Sequence, residues 1–301
     1  MEAVGTADAG PFRLGLLYSY PDRFWEQTGK KQYRRDVEDS DTVHLMATAW
    51  DPATGTVFPE VGLTAEVKRD GELVTQEAVY AMLSQRLGFH YGDNFALPGD
   101  GTYDVTVSVG GLQLTRTGAF EGRFDQPASA TFSFEYARAD RNRLETREPE
   151  NVGEPGAVAP QEVTDVPNAF APSKDALPGT ILGVPMVDDA RVTTTLLRGS
   201  DAERFGGDRY VAVSPRTPYN ELLLPGMGLE YRLLRGGERV DAGTLTRTID
   251  PDLQYHYGST LPALESDDEL VVETLTPPQV ARHEGYETAF VEMDPVTFRI
   301  P

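Results

Sequence analysis

The chain has 301 residues, room for two domains that each bury a core of their own. Asp and Glu number 48 against 27 Lys and Arg, a formal charge of −21. That balance excludes binding nucleic acid or an anionic lipid surface through bulk charge, and the absence of Cys excludes disulfides and thiol chemistry.

In chain order, Met1-Glu2-Ala3-Val4-Gly5 reads like mature protein, without a charged segment and apolar stretch of its own. The expectation is an extracytoplasmic, cell-surface protein, with a leader upstream of Met1 that carries a lipid anchor. Val43 to Trp50 alternates, with His44, Met46, Thr48 and Trp50 on one face and Leu45, Ala47 and Ala49 on the other. Leu63 to Lys68 runs into Asp70-Gly71, a hairpin turn. Tyr103, Val105, Val107 and Val109 alternate, as do Phe132, Phe134 and Tyr136. From about Ala139 to Gly179 the chain turns polar, rich in Pro and Gly, and aperiodic, most clearly at 148–156, which predicts a linker. Strands return at Val192–Leu197 and Tyr210–Val213. No segment carries an apolar stripe of helical period, so the expected fold is all-β: two tandem immunoglobulin-like antiparallel β-sandwich domains at 1–138 and 180–301, joined by the acidic linker 139–179.

The halves repeat. At an offset of 166 residues (256 − 90), Gly62-Leu63 matches Gly228-Leu229, Arg69, Gly71 and Glu72 match Arg235, Gly237 and Glu238, and His90-Tyr91-Gly92 matches His256-Tyr257-Gly258. Lys occurs only at Lys30, Lys31, Lys68 and Lys174, and the other basic residues are Arg. An acidic, Lys-poor surface suits a salt-loving organism, because high net charge keeps a protein soluble.

The chain has four His, at 44, 90, 256 and 283. His44 and Met46 share a strand face, and Met82 lies eight residues before His90. Imidazole and thioether together suit copper, Cu(I) above all, whereas imidazole with carboxylate suits iron or zinc. His and Met on a strand face also commonly fill core, and His-Tyr-Gly can be a turn with Gly at positive φ. Both readings stay open on the residues alone. No nucleophile elbow, Walker A loop, dinucleotide fingerprint or Ca²⁺ loop occurs, so no enzyme is expected.

These segments resemble a known family. Leu17-Tyr18-Ser19-Tyr20-Pro21, His44-Leu45-Met46-Ala47, Ala81-Met82 and Gly88-Phe89-His90-Tyr91-Gly92-Asp93-Asn94 are similar, in order, to the periplasmic iron-transport proteins of β-sandwich fold that bind copper and are encoded beside iron permeases. Tyr18 to Trp25 is also similar to haloarchaeal proteins described as iron transporters. The resemblance implies a copper or iron ion held by His44, Met82 and His90, with Met46 standing where the family has Glu. It implies a late His as well, which resembles His283 within Arg282-His283-Glu284-Gly285. Domain 1 offers no such His, with Phe120-Glu121-Gly122 at that stretch, and in domain 2 Tyr210, Ala212 and Thr248 replace the first His, Met46 and Met82.

The family's members are dimers. The expectation is therefore one composite site of His44, Met46, Met82, His90 and His283, in a pseudo-dimer within one chain or a homodimer. It requires His283 within about 10 Å of His90, because metal–nitrogen bonds are only about 2 Å long. The expected role is to capture the ion and pass it to a membrane iron permease, with affinity falling below about pH 6 as His protonates. The alternative is a metal-free structural or interaction pair of sandwiches.

Overall fold

The computed structural model describes residues 1–144, 158–283 and 285–301, so the expected linker centre at 148–156 lies outside the described residues. Strand accounts for 53% and helix for 5%, in antiparallel sheets of sandwich architecture. No helix among the described residues is long and apolar enough to cross a membrane.

The N-terminal lobe contributes β1 (Glu2–Ala9), β2 (Phe12–Ser19), β3 (Phe24–Thr28), β4 (Lys31–Arg35), β5 (Val43–Trp50), β6 (Leu63–Arg69), β7 (Glu72–Ala78), β8 (Tyr80–Ser84), β9 (Gly88–Phe95), β10 (Gly101–Val109), β11 (Thr115–Arg116) and β12 (Ala128–Tyr136). The C-terminal lobe contributes β13 (Thr180–Gly183), β14 (Met186–Val187), β15 (Ala190–Arg198), β16 (Arg209–Arg216), β17 (Gly228–Arg235), β18 (Glu238–Asp250), β19 (Gln254–Thr260), β20 (Glu269–Thr276), β21 (Ala281–Arg282) and β22 (Val296–Arg299).

Alternation explains these strands. In β10, Tyr103, Val105, Val107 and Val109 are buried while Thr102 and Asp104 face water, the period-2 pattern of a half-buried strand. The β6–β7 turn places Asp70 at φ 53° and Gly71 at φ 83°, the left-handed pair that a two-residue hairpin requires. β5 differs, because all eight of its residues are buried. One face lies on the sandwich core, and the face that carries His44 is covered as well.

Part of what lies against that face comes from the other lobe, for the His283 ring centroid is 5.3 Å from that of His44. The larger N-terminal sheet runs β1-β2-β5-β9-β8-β21-β3-β4, so a C-terminal strand sits between β8 and β3. Ala281 and Arg282 pair in parallel with Met82 and Leu83, and Arg282 pairs antiparallel with Trp25. The exchange is reciprocal. Thr115 and Arg116 of β11 pair in parallel with Thr248 and Ile249 of β18, the same pairing displaced by the 166-residue offset on both sides. The amide of His283 donates to Leu83 O at 3.0 Å, as the amide of Thr117 donates to Ile249 O at 3.1 Å. Residue i of one lobe meets j of the other while the offset mates of i and j meet in reverse.

The second N-terminal sheet is β12-β10-β6-β7, and in the C-terminal lobe the thirteen-residue β18 pairs with β17 through its first part and with β19 through its last. The main apolar core is continuous, from Ala9 and Phe12 through Met227 and Tyr257 to Ile300, so the lobes share one interior. The described part of the expected linker joins it: Val166, Ala169 and Ala171 are buried. Its Pro/Gly content prevents long regular elements but not burial.

Candidate metal centre

Four strands converge on one point. β5 brings His44, β9 brings His90 opposite Met82 on β8, and the residue after β21 is His283. Ligand atoms of the three imidazoles all lie within 4.8 Å of one another. The His283 ring centroid is 5.4 Å from that of His90 and 5.3 Å from that of His44, well inside the 10 Å limit set by the sequence reading. Met82 Sδ lies 3.2 Å from His283 Nε2. All four side chains are buried, with His283 the most accessible at 7%.

The ring nitrogens are oriented. His90 Nδ1 is 3.0 Å from Gly88 O, which can only accept, so Nδ1 carries the proton. His44 Nδ1 is 2.8 Å from Asn94 Oδ1. That atom also accepts from the Asp22 amide at 3.1 Å, while Asn94 Nδ2 donates to Asp22 O at 2.8 Å, so the amide orientation is settled and His44 Nδ1 must donate. His283 Nδ1 faces Asp22 Oδ2 at 3.4 Å, a charged acceptor far stronger than a thioether. The Nε2 lone pairs of His44 and His90 therefore remain free. Both are buried without a hydrogen-bond partner, a cost of about 1–3 kcal/mol each if nothing fills the space between them. Outer contacts to carbonyl, amide and carboxylate oxygens are what metal-binding imidazoles carry.

The electrostatics agree. Burial, with the neighbouring His283, pushes the His44 pKa down to about 4. Burial likewise holds His90 well below its ordinary value. Both stay neutral and able to coordinate over the physiological range. Burial raises the Asp22 carboxyl, but the hydrogen bond with His283, with smaller contributions beside it, outweighs burial and leaves Asp22 below the usual range.

Gly92 makes room for the cluster. A Cβ there would lie 2.9 Å from His44 Nε2 and 3.3 Å from Met82 Sδ. His90-Tyr91-Gly92 is thus not a turn, as one sequence reading had it, but the interior of β9, and Gly92 is needed for space rather than for positive φ. The Tyr91 hydroxyl accepts from the Val61 amide at 2.9 Å.

Met46 is buried at 5% on the His44 face of β5, within the main core, whereas Met82 falls in a separate small cluster with Phe24 and Ala281. Sequence reasoning missed Asp22 and Asn94, although both stand in the segments that carried the family resemblance. It also placed the N-terminal counterpart of His283 at 120–122. The strand exchange puts Thr117 there, which extending the offset past residue 92 would have found.

The counterpart cluster in the C-terminal lobe is closed. Tyr210 stands at the His44 position, and its hydroxyl lies 3.0 Å from His256 Nε2. His256 Nδ1 faces Gln254 O at 2.9 Å, as His90 faces Gly88. The Nε2 that is free on His90 is here satisfied by a phenol. A Cβ at Gly258 would collide with that hydroxyl.

A family model described as "Domain of unknown function (DUF7350)" matches residues 24–133 and 175–299. The chain belongs to the DUF7350 family. The two matched segments contain His44, Met82, His90 and His283, so the cluster lies within the family's domain. No curated protein matches the sequence. Among solved structures, the chain is similar to FetP of uropathogenic E. coli strain F11, as isolated, at 19% identity over 46% of this chain and 95% of that one, with a TM-score of 0.35. A copper-bound single-substitution variant of the same FetP matches at 19% identity over 45% and 96%, with a TM-score of 0.34.

Proposed function

We propose that this protein captures a transition-metal ion outside the cytoplasm, Cu(I) before iron, and delivers it to a membrane permease in the course of iron uptake. One observation carries the reading: three imidazoles and the Met82 sulfur meet in a buried space, each ring tied at Nδ1 to an oxygen, with Nε2 of His44 and His90 unpartnered. Neutral nitrogen and thioether donors suit a soft, monovalent ion. Met46, at the position where the resembled family has Glu, leaves that place without a hard anionic donor and is the further ligand of the proposal. Bonds of about 2.0–2.1 Å need donors roughly 3.4 Å apart, so binding draws the imidazoles slightly together. The His283–Met82 separation is already of that size. Capture and release require no turnover.

The offset pairing of both exchanged strands supports a duplicated gene whose two copies form a pseudo-dimer in one chain. For the C-terminal lobe taken alone, the metal-free reading is favoured, since Tyr210 occupies the space and satisfies His256.

The test is a Cu(I) titration against a competing chelator. The wild type is expected to bind one equivalent, and His90→Ala to lose affinity by on the order of 100-fold or more. Equal uptake by the two proteins would remove the proposal.

A further inference from the structure

The carboxylate that touches the cluster belongs to neither an expected ligand nor an expected strand. Asp22 sits between β2 and β3, its side chain about half exposed (49%) while that of His283 is 9% exposed. Its amide and carbonyl grip Asn94 from both sides, and Asn94 in turn holds His44 Nδ1. Its carboxylate reaches His283 Nδ1. One residue of the N-terminal lobe thus contacts the outer support of a ligand from its own lobe and the ligand supplied by the other.

We propose that Asp22 is a positioning residue that selects the Nδ1–H tautomer of His283 and so turns Nε2, with its lone pair, toward Met82 and the two N-terminal imidazoles. Without Asp22 the Nε2–H tautomer would point its hydrogen at the Met82 thioether, a weak acceptor, and block the ligand atom. The 3.4 Å contact is long for a charge-assisted hydrogen bond, and ligation at Nε2 makes Nδ1–H a stronger donor and tightens it. The carboxylate also supplies one negative charge beside a donor set that is otherwise neutral. A monovalent cation balances that charge, whereas a divalent one leaves a buried excess that is costly in low dielectric. Asp22 therefore biases the site toward monovalent metal as well as orienting its fourth donor.

This inference rests on the metal-capture reading, and its test is chosen to separate the two. Long-range ¹H–¹⁵N correlation on the metal-free full chain reports the His283 tautomer directly, and the Cu(I) titration reports its consequence. In the wild type, His283 is expected wholly as Nδ1–H. Asp22→Asn keeps an acceptor oxygen in place and should retain the tautomer, while binding Cu(I) more weakly than the wild type because the charge is lost. Asp22→Ala should show mixed tautomers and bind Cu(I) about 10–100-fold more weakly. A wild-type tautomer and affinity in Asp22→Ala would overturn the inference. If the wild type takes up no Cu(I), the capture reading fails, while the tautomer shift still decides the role of Asp22.

Discussion

A missing methyl group leaves room for His44 and Met82 to approach each other. Gly92 lies across from Met46 in the β5–β9 register and leaves the volume that His44 Nε2 and Met82 Sδ border. Gly92→Ala is expected to keep strand β9, to cost about 1–3 kcal/mol of stability by overpacking, and to weaken metal binding sharply, as urea denaturation and the Cu(I) titration would show. Wild-type affinity in that variant would mean the donors do not close around this point. The histidines also set an acid limit. His44 and His256 are both pushed down to about 4 by burial, from an ordinary value near 6.5. Their stabilisation is complete above about pH 6.5 and is lost as pH falls towards 4, because the unfolded chain takes up protons that the native state refuses. Urea midpoints of the metal-free protein should be flat near pH 7 and fall steadily from pH 6 to 4, with His44→Gln reducing the slope. Protonation of His44 itself is accordingly expected near pH 4.

Strand exchange explains why a two-residue element matters. β21 is too short to be stable alone, yet Ala281 and Arg282 are buried because β8 and β3 flank them on both sides. The pairing fixes His283 beside Met82 through its amide bond to Leu83 O. The mirror-image element β11 presents Thr117, whose hydroxyl donates to Asp250 at 2.7 Å, so on that side the exchange survives as structure without ligands. Tyr210→Phe would leave His256 Nε2 unpaired in a buried site and is expected to cost about 1–3 kcal/mol. The Cu(I) stoichiometry should stay at one per chain. A second equivalent in the wild type would contradict the closed state of the C-terminal cluster.

At the scale of the whole molecule, the lobes are held together by more than β11 and β21. Glu60 of the first lobe pairs with Arg247 of the second at 2.6 Å and accepts from the Tyr255 hydroxyl, and Gln279 brackets Gly29 with two hydrogen bonds. With an apolar core that runs through both lobes, unfolding is expected as a single cooperative transition in calorimetry. Cu(I) in 100-fold excess over its dissociation constant should add about 2.7 kcal/mol to that one transition. Two resolved transitions, only one of them shifted by metal, would show that the lobes unfold independently.

Much of this was written in local pattern. Alternation at Tyr103–Val109 and the Asp70-Gly71 turn declare antiparallel strands, because side chains alternate faces and two-residue hairpins need positive φ whatever surrounds them. The fixed offset between His90-Tyr91-Gly92 and His256-Tyr257-Gly258 reveals repetition, and the residue types at 44, 82, 90 and 283 name candidate donors. Periodicity is silent about contacts between distant segments. Only the fold shows that Ala281-Arg282 leaves its own lobe, that Asp22 and Asn94 orient the rings, and that Met46 and Met82 fall in different clusters. Gly92 and Gly258 look alike in sequence, yet one borders free lone pairs and the other a phenol. That difference comes from side chains across neighbouring strands, a matter of packing in three dimensions rather than of order along the chain.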